Sequence, residues 1–473
     1  MNEFTGNVDF KNKRIAANIA EYAGTSHGLN FMTPEKAMAA DLLRENLIKG
    51  IGQKLQWAYS RTKPFLRDLS PGCRICGSGA WSCLFINGKC NCRCFYCPTS
   101  QDEISIPTTN RLLFEKSTDY SDYVRNFDFQ GISISGGEPL MTFDRTLEYI
   151  TKARKKGPEN LHIWMYTNGS LLTVDHLLKL KDAGLNEIRF DIGATGYDLK
   201  KLFMAVGKIP VVTVEIPAVP EDVEKLSELI PIMTDAGVNY LNLHQLRMTP
   251  HNSQFMSSRP NNYTFLHGDK VTVLESELAV LSLLARAIEK GWNLPIHYCS
   301  FTYKNQFQKA GTRKRFAGFV IKPFESVTES GFIRSICLKG ESDIIQFLCQ
   351  QLKHQNISPD LYQISGNKTR MTVHESLWSI FEKSRLDIQL NYHEAVLSQG
   401  LSYHHAFKEI RLDGGMNLFV EKQPRLMGSK LTPGEIRGFE NRVLQKNHLP
   451  DSHGPVYPWE EYERIQEGLQ GYY

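Results

Sequence analysis

An α/β chain built on a partial (β/α)6 barrel is the fold class the sequence predicts, with a helical extension before it and an α+β domain after it. Three observations predict it. Short apolar stretches alternate with amphipathic helical ones from about residue 80 to 300, the rhythm changes after about 320, and the first seventy residues are polar and helical in pattern. Strands alternating with helices imply βαβ units and a parallel sheet. Six strands in about 165 residues suit a partial barrel better than a closed eight-stranded one. The expected boundaries are 1–70 for the extension, 71–318 for the barrel with an upstream cysteine segment, and 319–473 for the last domain.

In chain order, a first helix is expected from Pro34, with Thr33 as its cap and Gly50 as its terminator. The barrel strands are expected at Ala80–Asn87, Gly131–Ser135, His162–Thr167, Glu187–Ile192, Val211–Ile216 and Tyr240–Leu246. Helices are expected near 118–126, 143–155, 174–183, 197–206 and 222–236. Another runs from about 270 to Lys290, where Leu274, Leu278, Leu281, Leu284 and Ile288 keep one face apolar. Beyond 320, helical patches (342–354, 373–383, 433–446) mix with short strands such as Asp387–Tyr392.

Composition excludes several classes. With 41% hydrophobic and 22% charged residues the chain can bury a large core, so whole-chain disorder is excluded. No apolar run approaches the roughly 20 residues of a membrane span, and the first ten residues lack a signal-peptide pattern. A cytoplasmic protein is expected. The net charge of +4 neither requires nor excludes nucleic acid.

Seven of the ten cysteines lie between Cys73 and Cys97. In a reducing compartment such crowding points to metal or redox chemistry rather than disulfides. The tightest group is Cys90-Asn-Cys-Arg-Cys94-Phe-Tyr96-Cys97, directly after an expected strand. Three thiolates in C-x3-C-x2-C can hold three irons of a [4Fe–4S] cluster, leaving the fourth iron open to an outside ligand. Cys92 is the extra thiol inside the x3 gap. Zinc is the alternative, with Cys94-x2-Cys97 and Cys73-x2-Cys76 forming a four-cysteine ribbon. After the next strand comes Ser135-Gly136-Gly137-Glu138-Pro139, whose glycines admit a ligand close to the backbone and whose Glu138 offers an acceptor to an ammonium group.

On C-x3-C-x2-C followed by Gly-Gly-Glu-Pro, the segment Trp81–Leu246 resembles the radical SAM superfamily, and within it the relatives of pyruvate formate-lyase activating enzyme. The resemblance implies an enzyme that cleaves S-adenosylmethionine reductively to a 5′-deoxyadenosyl radical, which abstracts hydrogen from a substrate. It implies a [4Fe–4S] cluster on Cys90, Cys94 and Cys97 and S-adenosylmethionine seated by Gly136–Pro139. Tyr96, Ser135, Asn168 of Thr167-Asn-Gly169, Asp191 of Phe190-Asp-Ile192 and His244 of Asn242-Leu-His-Gln245 are the further contacts it suggests. It also implies a low-potential donor, a flavodoxin or ferredoxin. The chain departs from the activases at Tyr166, where they carry an acid, and at Gly193, where they carry a lysine.

Cys73, Cys76 and Cys83 precede the cluster loop, and with Cys299 of His297-Tyr-Cys299 they could form a second iron–sulfur or zinc site; small buried thiols are the plain alternative. Cys337 and Cys349 read as core. Arg189 and Glu215 either line the barrel or form a structural ion pair. The basic stretch Tyr303–Phe316, with Arg313 and Arg315, suits a phosphate, an RNA or an acidic peptide, or is a solvated face. The long segment beyond 320 suggests substrate recognition, with a peptide or protein as substrate. Two rival readings remain: a radical SAM enzyme acting on RNA, and a non-catalytic zinc or iron–sulfur protein.

Overall fold

The computed structural model describes residues 5–24, 29–259, 263–446 and 457–473. The chain divides into two compact units. One comprises Phe10–Gln308, Leu412–Gly415 and Glu467–Tyr473; the other comprises Lys309–Arg411 and Met416–Gln466 with the described residues before Phe10.

The first unit holds a sheet built on β1 (Gln56–Ala58), β2 (Lys63–Leu66), β3 (Trp81–Asn87), β4 (Gly131–Gly136), β5 (His162–Thr167), β6 (Glu187–Phe190), β7 (Val211–Pro217), β8 (Tyr240–His244) and β9 (Ile296–Cys299). Their order is β1-β2-β9-β8-β7-β6-β5-β4-β3, and two-residue strands at Thr108–Thr109 and Leu112–Leu113 extend the β3 edge. Strands β3 to β9 are parallel in sequence order. That is one parallel strand more than the six expected, because β9 is only four residues long and follows an irregular Asn293-Leu-Pro295 approach. The β1–β2 hairpin then adds antiparallel to β9, with His297 opposite Phe65.

Helices precede and alternate with these strands along the chain. They are α1 (Thr5–Glu21), α2 (Pro34–Ile51), α3 (Pro71–Gly77), α4 (Ser117–Asn126), α5 (Phe143–Lys156), α6 (Val174–Asp182), α7 (Lys200–Ala205), α8 (Val223–Asp235) and α9 (Leu274–Glu289). Helix α2 is capped by the Thr33 side chain on Lys36 N, as its sequence suggests, but continues through Gly50 to Ile51. Gly52, at φ +65°, is its terminator. The last residues return to this unit: Tyr472 OH and Arg44 both meet the buried Glu277 of α9.

Period-two alternation sorts each strand's side chains. Ile188, Val212, Val214, Leu241, Leu243 and Ile296 form one apolar set, each at most 1% exposed. On the other face Glu187, Arg189, Thr213, Glu215, Asn242, His244, His297 and Cys299 make a continuous polar lining across β6 to β9. Burying so many polar groups is tolerable only if they pair with one another. Helix α3, which links β2 to β3, packs into this lining: a Cβ on Gly72 would lie 2.3 Å from Arg189 Nη2 and 3.3 Å from the Trp164 ring.

The second unit carries an antiparallel sheet of β10 (Ile333–Lys339), β11 (Tyr362–Ile364), β12 (Arg370–Val373), β13 (Asp387–Ser398), β14 (Phe407–Arg411) and β15 (Asn417–Lys430), ordered β11-β12-β10-β13-β15-β14, with Ser326–Val327 paired to β10. Helix α10 (Ser342–His354) contributes Ile345, Leu348 and Leu352 to its core, beside Ile336, Val373, Trp378 and Leu390. Within it Arg334 grips Glu463 with two bonds, at 2.6 and 2.7 Å. No helix among the described residues is long and apolar enough to cross a membrane.

Candidate active site

The cysteine loop leaves the carboxyl end of β3 and is fastened to the ends of four neighbouring segments. Beside it the Gly136–Pro139 turn is zipped onto residues 87–89: Gly137 N donates to Asn87 O at 2.8 Å and Glu138 N to Lys89 O at 2.7 Å. A Cβ on Gly137 would sit 1.9 Å from Lys89 O, and Gly136 takes φ +120°, so both positions need glycine for this approach. Gln101 closes the far end of the loop. Its backbone carbonyl accepts from Cys90 N (3.1 Å), and its side chain donates to Gly136 O (3.3 Å).

Glu138 is 1% exposed, and chain donors occupy its carboxylate: Leu140 N at 3.0 Å, Thr167 Oγ1 at 2.7 Å and Asn168 N at 2.7 Å. Burial raises its pKa, and those bonds oppose the rise. The acceptor that the sequence offers to an outside ammonium thus serves Thr167-Asn168, while Ser135 ends β4 immediately before the turn. Held this way, Asn168 Nδ2 donates to Asn91 Oδ1 (2.9 Å) and lies 3.8 Å from Cys90 Sγ.

The other side of the loop is tied through Tyr96. Its hydroxyl donates to both Asp191 oxygens, at 3.0 and 3.1 Å, and its backbone carbonyl accepts from Asn252 Nδ2. Burial pushes Asp191 up to about 6, against the Tyr96 bond. Cys90, Cys94 and Cys97 are all part-exposed; burial, with Asp191, Cys92 and Cys90 nearby, pushes Cys94 up to about 12. A thiol with that affinity for its proton ionises when a metal replaces the proton. The donor set therefore suits an iron–sulfur cluster: thiols on irregular backbone, part-exposed, with an amide N–H turned to one sulfur.

His244 stands apart from that group, in a chain of charges along the lining. Lys304 Nζ donates to His244 Nδ1 at 2.9 Å, His244 Nε2 meets Glu215 Oε1, and Glu215 Oε2 accepts from Arg189 Nη1 at 2.5 Å. Arg189 Nε then donates to Glu187 Oε1 at 2.8 Å, and Glu187 Oε2 lies 3.0 Å from His162 Nε2. Burial alone would raise Glu215, but Arg189 and His244 hold it well below the carboxylate range. Burial, then Lys304, depresses His244 to about 4, so the neutral imidazole donates from Nε2. The Arg189–Glu215 ion pair exists, and it also lines the barrel.

The upstream cysteines face the same lining, Cys73 buried and Cys76 and Cys83 part-exposed. Cys73 Sγ lies 3.2 Å from His297 Nε2 and 3.6 Å from Arg189 Nη1; Cys76 accepts from Gln308 Nε2; Cys299 is 5% exposed on β9. Cys83, on β3, has Ser133 and Ser135 as hydrogen-bond neighbours. Among the described residues no three His, Cys, Asp or Glu side chains are gathered so as to hold a single metal ion. In the basic stretch, Arg313 donates to Ser330 O at 2.8 Å and stacks 4.4 Å from the Phe332 ring. Lys63 escapes sequence reasoning, since nothing in Thr62-Lys-Pro marks a fully buried side chain, and Tyr303, read only as the start of the basic stretch, is fully buried as well.

The pattern of the Radical SAM superfamily matches residues 84–209. A Methanocaldococcus jannaschii protein named "Putative glycyl-radical enzyme activating enzyme" is 30% identical over 307 residues, which are 61% of this chain and 79% of that one. A GTP 3′,8-cyclase of Rhodopirellula baltica is 36% identical over 108 residues, 23% of this chain and 29% of that one. Among solved structures, Streptococcus suis SuiB bound to precursor peptide SuiA matches at 10% identity and TM-score 0.37, over 63% of this chain and 64% of that one.

Proposed function

Because the chain belongs to the radical SAM superfamily, we propose that it is an enzyme of that superfamily that cleaves S-adenosylmethionine reductively and uses the radical to take hydrogen from a peptide or protein substrate. A [4Fe–4S] cluster held by Cys90, Cys94 and Cys97 would supply the electron and, at its open iron, the binding point for S-adenosylmethionine. The protein's own residues do the rest. Gly136 and Gly137 bring backbone to the edge of the cysteine loop, Glu138 fixes Thr167-Asn168, and Asn168 presents its amide to Cys90. Tyr96 and Asp191 brace the loop's last turn. His244, neutral and backed by Lys304 and Glu215, offers a fixed polar edge at the end of β8. The lining behind them is largely buried, an arrangement that would shield a reactive intermediate from solvent.

The observation that carries this reading is the zipping of Gly136–Pro139 onto the cysteine loop, since it brings the thiols beside the glycine turn that the resemblance assigns to S-adenosylmethionine. The activating-enzyme relative supports a protein substrate and an external one-electron donor such as a flavodoxin or ferredoxin. A second metal centre at the upstream cysteines belongs to the same reading. Anaerobic protein, reconstituted with iron and sulfide, should release 5′-deoxyadenosine from S-adenosylmethionine on addition of dithionite, and Cys94→Ala should not. Equal release by both, or release by neither with zinc bound in place of iron, would refute it.

A further inference from the structure

A lysine stripped of water and left without a partner is expensive to bury, and this fold contains one. Lys63 of β2 is 0% exposed, and its Nζ has no hydrogen-bond partner; it lies 4.5 Å from the centre of the Tyr303 ring. Its titratable neighbours are sulfurs before carboxylates: Cys299, then Cys73 and Cys76, with Glu215 after them.

The sulfurs come from two separate elements. Cys73 and Cys76 occupy one face of α3, and Cys299 ends β9, more than two hundred residues later. Nitrogen groups converge on them. Arg189 Nη1 (3.6 Å), Asn242 Nδ2 (3.8 Å) and His297 Nε2 (3.2 Å) surround Cys73 Sγ, while Gln308 Nε2 donates to Cys76 Sγ. Tyr303 OH, also buried, neighbours Cys76 Sγ, and the buried His297 Nδ1 has no hydrogen-bond partner. Neutral thiols are weak acceptors and would not attract so many donors. Anionic sulfur would, and it would also balance the ammonium.

We propose that Cys73, Cys76 and Cys299 ligate a second iron–sulfur cluster, with Lys63 as its buried counter-cation, and that Cys83 is not a ligand. This deepens the radical SAM reading, on which it rests for its iron–sulfur chemistry. On ligation the three thiols give up their protons and no bond of the chain breaks. A cluster places each thiolate on a different iron. The N–H groups and the ammonium aimed at the sulfurs raise its reduction potential.

The test uses the full chain carrying Cys90→Ala, Cys94→Ala and Cys97→Ala, reconstituted anaerobically, with iron, sulfide and zinc counted and the dithionite-reduced sample examined by electron paramagnetic resonance. About four irons per chain and a reduced-cluster signal are expected. Adding Cys299→Ala should remove both, and adding Cys83→Ala should remove neither. Adding Lys63→Met should keep the iron and shift the midpoint potential downward, a readout that loss of packing alone does not give. Circular dichroism on each variant identifies any that fails to fold, and Cys299→Ser then replaces Cys299→Ala. No iron in the folded triple variant, one zinc in its place, or iron that survives loss of Cys299 would overturn the proposal. Should the wild type fail to cleave S-adenosylmethionine while the triple variant keeps its iron, only the functional reading falls.

Discussion

Two groups of cysteines in one barrel unit have opposite surroundings. The loop group, Cys90 to Cys97, sits on irregular backbone, is part-exposed, and has a neutral amide and a buried aspartate for company. The lining group, Cys73, Cys76 and Cys299, lies among Lys63, Arg189, His297 and Gln308, with Cys73 and Cys299 buried and Cys76 part-exposed. The contrast teaches that sequence spacing measures how thiols are strung together, whereas their chemistry follows from what the fold packs around them. Sulfur that serves a diffusing cosubstrate has to stay reachable. Sulfur that has only to hold or pass charge can be enclosed, provided cations accompany it.

The largest test of this contrast is ligand removal. Cys94→Ala should reduce reductive cleavage to the uncatalysed background, while Cys299→Ala should leave 5′-deoxyadenosine formation measurable. If the two behave alike, the groups are not functionally distinct. Next comes the charge lattice. Arg189→Met would strand Glu187 and Glu215 inside the lining and should lower unfolding free energy by about 3–5 kcal/mol in a denaturant titration. A loss under about 1 kcal/mol would mean the lining is wetter than its burial implies. Glu138→Ala leaves Leu140 N, Asn168 N and Thr167 Oγ1 without their acceptor and should cost about 3 kcal/mol; Glu138→Gln should recover part of it.

A pH series gives a smaller effect. His244 has a folded pKa of about 4 against an ordinary 6.5, so its contribution to stability is present above about 6.5 and is lost as pH falls toward 4. With its side chain 25% exposed, about 1–2 kcal/mol is expected on that limb. Thermal unfolding of His244→Gln should show the limb flattened, and an unchanged limb would assign it elsewhere. The smallest effect is expected at Cys92, whose backbone N–H turns toward Cys90 Sγ. Cys92→Ala should retain its iron and cleave S-adenosylmethionine within about twofold of wild type; loss of iron would make Cys92 a ligand and redraw the loop group.

Much of the barrel was legible because period two and period 3.6 are strong signals over buried elements. His162–Thr167 appears with the expected bounds, and Glu187 and Val211 begin their strands where expected. β9 and the β1–β2 hairpin were not legible, being three or four residues long and held by register with neighbours distant in sequence. At the site, the cysteine spacing and Gly136-Gly137 could be read because they are local. The employment of Glu138 inside the fold could not, since Thr167 and Asn168 lie about thirty residues away. Lys63 was invisible for a different reason: composition treats lysine as a surface residue, and only the packing of α3 against β9 shows otherwise.

The distance along the chain between α3 and β9 has a consequence for biogenesis. The loop thiols lie within eight residues of one another and can begin to capture metal while much of the chain is still being made. Cys73 meets His297 across 224 positions, so its surroundings close only after the long loop between them has paid its entropy and β9 has docked. If both groups hold metal as proposed, maturation should be ordered in time, with the loop group filled first and the lining group last. A cell starved of iron would accumulate chains that are half loaded in that one sense.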